Sequence, residues 1–177
     1  MSEKIVITPY KSPVGELILG AYKNKLCLAD WRYRKMRSAI DRRIQTGLNA
    51  EFVDGSTEIL ERTAQELTQY FNGERKQFDI PLLLVGTEFQ KNIWQELLKI
   101  PYGSTQSYLE LARQMNNEKA IRAVAAANGA NAISILIPCH RIIGTQGNLV
   151  GYAGGLDAKK KLLTLENVLS HDQLELF

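Results

Sequence analysis

Short aliphatic and β-branched runs open the chain, and helical periodicity takes over later. Residues 4–8 and 15–20 predict two strands, with Lys11-Ser12-Pro13 turning between them. Residues 26–31 predict a third strand after the polar Lys23-Asn24-Lys25 turn, with Cys27 inside it as core packing. Arg32, Arg34, Lys35, Arg37, Arg42 and Arg43 then form a basic stretch, which reads as a solvated face or loop, with a phosphate contact as the alternative. Over residues 57–71, Leu60, Ala64, Leu67 and Phe71 fall on one stripe, the period of a helix buried along one side. Asn72-Gly73 ends it with residues that tolerate positive φ.

Residues 78–86, punctuated by Pro81 and Gly86, read as a linker. Beyond them the pattern is mostly helical. Thr87 and Gln90 have the spacing of a capping box, Phe89, Ile93, Trp94 and Leu97 form an apolar side, and Pro101 stops the helix. Trp94 reads as a core anchor. Ser107 and Glu110 make a second capping box, before Leu109, Leu111 and Ala112. Asn116-Asn117 turns the chain into a helix over 118–128, closed by Gly129. Two short helices across a tight turn are a helix-turn-helix candidate. A last helix, capped by Asp157, carries Glu166. The expected organisation is an α/β N-terminal domain over 1–77, the linker 78–86, a mostly α C-terminal domain over 87–169, and a tail over 170–177.

A chain of 177 residues with 45% hydrophobic content can bury a real core. The net charge of +3 is too small to argue for nucleic acid by itself, although a local basic face can still bind phosphates. Two cysteines, Cys27 and Cys139, imply no disulfide framework. The start shows no charged segment leading into an apolar one, so no signal peptide is expected, and no apolar run reaches the roughly twenty residues of a membrane span. A cytoplasmic setting, where thiols stay reduced, is the expectation.

The candidate chemistry sits at Ile133-Ser134-Ile135-Leu136-Ile137, followed by Pro138-Cys139-His140-Arg141. Thiolates rather than thiols attack electrophiles, and a nearby imidazole is the usual means of making one near neutral pH. A buried cysteine closing a core strand fits Cys139 and His140 equally well. The 118–128 helix is also ambiguous. Its centre, Ala120-Ile121-Arg122-Ala123-Val124-Ala125-Ala126-Ala127, carries one long donor, Arg122. Small side chains suit either a packed core or close approach to a groove without reading base edges.

The flanking residues carry a resemblance. Ile137-Pro138-Cys139-His140-Arg141-Ile142-Ile143-Gly144 resembles the active-site signature of the O6-alkylguanine-DNA alkyltransferases, the methylated-DNA–protein-cysteine methyltransferase family. Gly86-Thr87-Glu88-Phe89-Gln90, Ile100-Pro101-Tyr102-Gly103, Ser107-Tyr108, Ala120-Ile121-Arg122-Ala123-Val124, Asn131, Gly151-Tyr152-Ala153-Gly154-Gly155 and Leu162-Leu163-Thr164-Leu165-Glu166 follow family blocks in family order. The likeness is dense from Gly86 to Glu166 and faint before.

The resemblance implies a ribonuclease H-like N-terminal domain and a winged-helix-like C-terminal one. It implies repair of double-stranded DNA carrying O6-alkylguanine, with O4-alkylthymine as a second substrate. The nucleotide leaves the stack, and Cys139 takes the alkyl group in one irreversible turnover. It implies a Cys139–His140–Glu166 relay, Asn131 bracing the turn around the cysteine, and Tyr108 donating to the base and helping to rotate it. Arg122 enters the stack in place of the extruded nucleotide, on a helix whose Ala123 and Ala126 meet the minor groove. Ser134, Ile142, Tyr152, Ala153 and Gly154 wall the pocket. No cofactor is expected, since no glycine-rich nucleotide fingerprint follows a strand. Some relatives hold zinc with Cys and His ligands in the N-terminal half. That half contains only Cys27 and no histidine, so no metal is expected. A monomer without membrane attachment is expected.

Without the resemblance, a non-enzymatic lesion binder or a Cys-His hydrolase would be the alternatives. Cys139 argues against the first, and the second leaves Arg122 and Tyr108 without a task. The end of the chain adds a partner. Gln173, Leu174, Leu176 and Phe177 resemble the Gln-Leu-x-Leu-Phe peptide by which bacterial polymerases and repair proteins dock on the sliding clamp. The same apolar residues could instead fold back onto the protein's own surface.

Overall fold

In the computed structural model, residues 1–170 are described, so Gln173, Leu174, Leu176 and Phe177 lie outside the described residues. The chain forms two compact units, Met1–Thr87 and Glu88–Phe177.

In the first unit, β1 (Glu3–Ser12), β2 (Gly15–Tyr22) and β3 (Lys25–Trp31) form an antiparallel meander. β4 (Ala50–Asp54) adds on the far side of β1, running parallel to it, in the order β3-β2-β1-β4. A parallel neighbour requires a crossover. Here α1 (Arg37–Leu48) precedes β4 and supplies it. β3 is buried at every position after Lys25, as a strand covered on both faces should be. Pro81 and Leu83 hydrogen-bond to both backbone groups of Leu26, at 2.9 and 2.8 Å, so the 78–86 segment runs along β3.

α1 and β4 were not anticipated from the sequence. The basic stretch is solvated only in part: Arg32, Lys35 and Arg42 are exposed, whereas the fully buried Asp30 lies beneath Arg34 and Arg37. Arg34 and Arg37 reach its carboxylate at 3.1 and 3.0 Å. A buried carboxylate needs such pairing, and a run of arginines does not show where its counterion lies. α2 (Glu58–Phe71) begins where expected, with the Thr57 hydroxyl accepting from the Leu60 amide. Its buried side centres on Ile59, Leu60, Thr63, Leu67 and Tyr70, so Tyr70 rather than Phe71 is the core aromatic. Gly73, at φ +76°, follows the helix end.

The second unit contains α3 (Glu88–Leu97), α4 (Tyr108–Gln114), α5 (Ile121–Gly129) and α6 (Leu156–Leu165), with β5 (Gln106–Ser107) paired in parallel to β6 (Ile142–Ile143). The Ser107–Glu110 capping box is formed in both directions. Asn116, at φ +54°, turns the chain between α4 and α5; asparagine tolerates that conformation better than most residues. The Trp94 indole donates to the Ala127 carbonyl at 2.9 Å, anchoring α3 on α5. Three boundaries differ from expectation. Residues 118–120 form a tighter 3₁₀ turn before α5. Gly129 lies inside α5, whose cap is Ala130. The N-cap of α6 is Gly155 at φ +88°, while Asp157 sits in the first turn and pairs with Lys161. Among the described residues no helix is long and apolar enough to cross a membrane.

Candidate active site

The apolar run before Cys139 is not a strand. Leu136 N–H closes on the Ser134 carbonyl at 2.9 Å, with Ile135 between them at φ +72°. A β-branched residue in that region is strained and persists only where its surroundings over-determine it. Asn131 supplies that restraint. Its amide nitrogen donates to the Ile137 carbonyl at 2.9 Å and the Ile133 carbonyl at 3.4 Å, and its oxygen accepts from Ile133 N–H at 3.0 Å. Pro138 then sits at φ −81°, ψ 61°, and Cys139 N–H reaches back to the Ile137 carbonyl at 2.8 Å. This is an inverse γ-turn, which the proline ring favours by fixing φ. It starts a single 3₁₀ turn, Cys139–Arg141, with the cysteine 3% exposed.

His140 is fully buried. Its Nε2 lies 2.8 Å from Glu166 Oε1. Burial holds the imidazole below its ordinary value against the opposing pull of Glu166, so the ring is neutral at pH 7. A neutral ring bonded to a carboxylate through Nε2–H leaves a lone pair on Nδ1. That Nδ1 is buried and has no hydrogen-bond partner among the described residues.

Glu166, at the C-terminal cap of α6, is 1% exposed. Burial alone would raise its pKa, but hydrogen bonds from His140 and Arg141 outweigh it and hold the carboxyl at about 2. Arg141 donates through Nε to Oε2 and through Nη2 to Oε1, both at 2.9 Å, and through Nη1 to the Ile100 carbonyl at 2.7 Å. The guanidinium fork thus ties Glu166 to the segment after α3.

Sequence reasoning attached no role to Arg141 or Lys159. Arg141 stood inside the signature, and a basic residue closing an apolar run was the available signal. Lys159 is completely buried, and its ammonium donates to the carbonyls of Ile142, Val150 and Gly151 at 2.5, 3.2 and 3.2 Å. It thereby joins β6 to the loop before Tyr152. Burial lowers its pKa to about 8, while the Cys139 sulfur acts in the opposite sense. A lysine three residues into an amphipathic helix gave no sequence signal, because its burial depends on where the loop lands.

Tyr108 opens α4 and is half-buried. Burial and then the Cys139 charge push its phenol upward, with Asn128 pulling the other way. Tyr152 packs its ring edge-on to His140, centroids 6.4 Å apart. Ala153 and Gly154 are half-buried in the same loop. Ser134 and Ile142 are fully buried, Ser134 within the strained turn and Ile142 in β6. On α5, Arg122, Ala123 and Ala126 face outward, while Val124, Ala127 and Asn128 face in. The alanine-rich helix is therefore packed on one side and open on the other.

The second unit thus combines a helix pair with a small-residue outer face and a buried cysteine backed by a His–Glu–Arg cluster, the site of a thiol protein. The family model described as 6-O-methylguanine DNA methyltransferase, DNA binding domain, matches residues 88–168, and that for the ribonuclease-like domain matches residues 5–84. The methylated-DNA–protein-cysteine methyltransferase of Methanosarcina acetivorans is 41% identical over 157 residues, covering 89% of this chain and 95% of its own. The Mycobacterium leprae protein of that name is 43% identical over 169 residues, 94% of each chain. Mycobacterium tuberculosis OGT, solved in complex with DNA, superposes with a TM-score of 0.76 at 37% identity over 92% of each chain. The chain belongs to the 6-O-methylguanine DNA methyltransferase family.

Proposed function

We propose that this protein repairs double-stranded DNA by moving the alkyl group of O6-alkylguanine onto its own Cys139, once per molecule. The observation that carries the reading is the buried Nδ1 of His140, left with a lone pair by the Glu166–Arg141 clamp beside the only thiol of the unit. Adjacent residues on one turn do not face each other, so the thiol proton passes to Nδ1 through one water. The sulfur–carbon bond forms as the O6–carbon bond breaks, and the electron pair leaves on the purine. Tyr108 donates its hydroxyl to that purine, and Asn131 holds the cysteine turn still. A thioether has no good leaving group, so the cysteine is not regenerated.

Arg122, on the open side of α5 with Ala123 and Ala126, fills the stack after the nucleotide is extruded. Ser134, Ile142, Tyr152, Ala153 and Gly154 shape the pocket, and O4-alkylthymine is a second substrate. The ribonuclease H-like reading of the first unit is supported by the β3-β2-β1-β4 order with its parallel edge strand. The winged-helix-like reading of the second is supported by α4–α5 and the β5–β6 pair. We place the monomeric protein in the cytoplasm. The test is intact mass after incubation with an O6-methylguanine duplex. The protein should gain one methyl group stoichiometrically, and Cys139→Ser should gain none while still binding DNA. A methylated Cys139→Ser protein would remove Cys139 as acceptor.

Gln173, Leu174, Leu176 and Phe177 support docking on a bacterial sliding clamp. The apolar side chains fill a pocket and glutamine bonds at its rim, raising the local concentration on DNA. A clamp titration should show binding by the full chain and none by a chain ending at Asp172. Equal or absent binding by both overturns the docking.

A further inference from the structure

Four donors converge on the two oxygens of one buried carboxylate. Glu166 Oε1 takes His140 Nε2 at 2.8 Å and Arg141 Nη2 at 2.9 Å. Oε2 takes Arg141 Nε at 2.9 Å and the Gly103 amide at 3.5 Å. Both oxygens therefore act as acceptors, which a protonated carboxyl cannot offer without turning its own O–H on one of the donors. Arg141 is in turn held from outside the site. Its Nη1 donates to the Ile100 carbonyl at 2.7 Å, and its guanidinium lies over the Tyr102 ring, 5.8 Å from the centroid. The Tyr102 hydroxyl donates at 3.0 Å to the carbonyl of Leu165, the residue before Glu166. Arg141 and Glu166 are 6% and 1% exposed, so salt and water screen the pair little.

We infer that Arg141 is a positioning residue for the transfer reaction: its guanidinium holds the Glu166–His140 pair one proton short, so that His140 Nδ1 stays bare to receive the thiol proton. The guanidinium is always charged and gives up no proton, so it fixes Glu166 as an acceptor. The proton between Glu166 and His140 then stays on Nε2, and the buried Nδ1 keeps its lone pair. A neutral side chain at position 141 would take two donors and a counter-charge from a buried carboxylate, and a proton is what replaces them. That proton has two places to go. On the imidazole it sits on Nδ1. On Glu166 it bonds to Nε2, and the ring's own proton moves to Nδ1. Either way the acceptor that serves the cysteine is taken. The groups facing the ring are Glu166 and Lys159 from α6, Arg141 from its own turn and Tyr152 from the loop. Burial is the largest influence on its titration; Arg141 and Lys159 act in the same sense, and Glu166 opposes them. The Lys159 ammonium is bonded to three carbonyls rather than to the carboxylate, and substitution at position 141 leaves it in place.

This inference rests on the alkyl-transfer reading, and the experiment separates the two. The ring nitrogens of isotope-labelled histidine are followed by NMR against pH in the full chain without DNA, since a bare and a protonated nitrogen resonate far apart. The chain has two histidines, so His171→Gln assigns the His140 signals. Nδ1 should take its proton about one to three pH units higher in Arg141→Met and Arg141→Gln than in the wild type, the effect of removing a like charge close to a titrating group. Arg141→Lys should stay near the wild type, because it keeps the charge. Single-turnover methyl transfer from an O6-methylguanine duplex is then followed by intact mass against pH. Methylation of the wild type establishes the alkyl-transfer reading; the nitrogen signals judge Arg141 apart from it. The acid limb of the rate profile should move upward with the Nδ1 midpoint in both neutral variants and stay in place in Arg141→Lys, at a lower rate for want of the fork. A merely structural arginine would slow all three variants without moving either midpoint, and that result overturns the inference. A shift in Arg141→Lys as large as in the neutral variants assigns the effect to shape and also overturns it. Should Arg141→Met fail to fold, judged by its thermal unfolding, Arg141→Gln carries the same comparison.

Discussion

Replacing Glu166 with glutamine keeps the side chain's shape and removes its charge. Three strong hydrogen bonds converge on this carboxylate, one with His140 and two from Arg141. Its pKa is depressed from 4.5 to about 2. A depressed carboxyl contributes stability that is fully present above its unfolded value and is lost as pH falls through the folded one. That difference corresponds to about 3 kcal/mol at pH 7. An independent figure agrees, since breaking a buried pair by removing one partner costs about 3–5 kcal/mol. Arg141 is 6% exposed and would lose its carboxylate, keeping the Ile100 carbonyl. For a chain this size, Glu166→Gln should lower the unfolding midpoint by about 10 °C at pH 7. The stability gap should shrink by more than half at pH 3, because the unfolded chain's carboxyl, at 4.5, is by then protonated while the folded one, at about 2, still is not. Calorimetry of both proteins at the two pH values provides the measurement. Equal midpoints at pH 7, or a gap that persists unchanged at pH 3, would refute the argument. Methyl transfer by the folded variant should also slow, because the amide no longer fixes which His140 nitrogen carries the proton.

Two further outcomes follow from the geometry. Arg122→Ala should slow repair in duplex DNA far more than reaction with a free alkylated base, since only the duplex needs its stack filled; equal losses by intact-mass kinetics would count against that role. In Lys159→Met the loop before Tyr152 loses two carbonyl contacts and its tie to β6, so its backbone amides should exchange hydrogen faster. Lys159 has a lowered pKa of about 8 against 10.5, so the unfolded chain binds the proton more readily between those values. Wild-type stability should therefore gain a contribution as pH rises from about 8 to 10.5, and Lys159→Met should lack it in denaturant titrations.

Much of the second unit is written locally in the sequence. The Ser107–Glu110 capping box, the Asn116 turn and the stop after α3 are short-range signals, satisfied by neighbours a few residues apart. Pro138-Cys139-His140-Arg141 marks the site for the same reason, and the flanking blocks give the family. The first three strands were legible because each is a compact apolar run between polar turns. α1 and β4 were not, since α1 buries only Ile40 and Ile44 and its first residue, Arg37, pairs with Asp30, which lies on another element.

The apolar run before Cys139 shows the limit most sharply. Ile133 to Ile137 has the composition of a core strand. Asn131 and the Pro138 turn bend it into a strained loop with Ile135 at positive φ, because the hydrogen bonds of Asn131 are satisfied only in that shape. Glu166 and Lys159 likewise become site residues only when α6 packs beneath the cysteine turn. The sequence alone singled out Cys139 and His140 as candidate groups, since reactive side chains are read by type and local spacing, and the resemblance added Glu166. The tertiary structure decided their charge states and orientations, since burial and partners from distant segments set both.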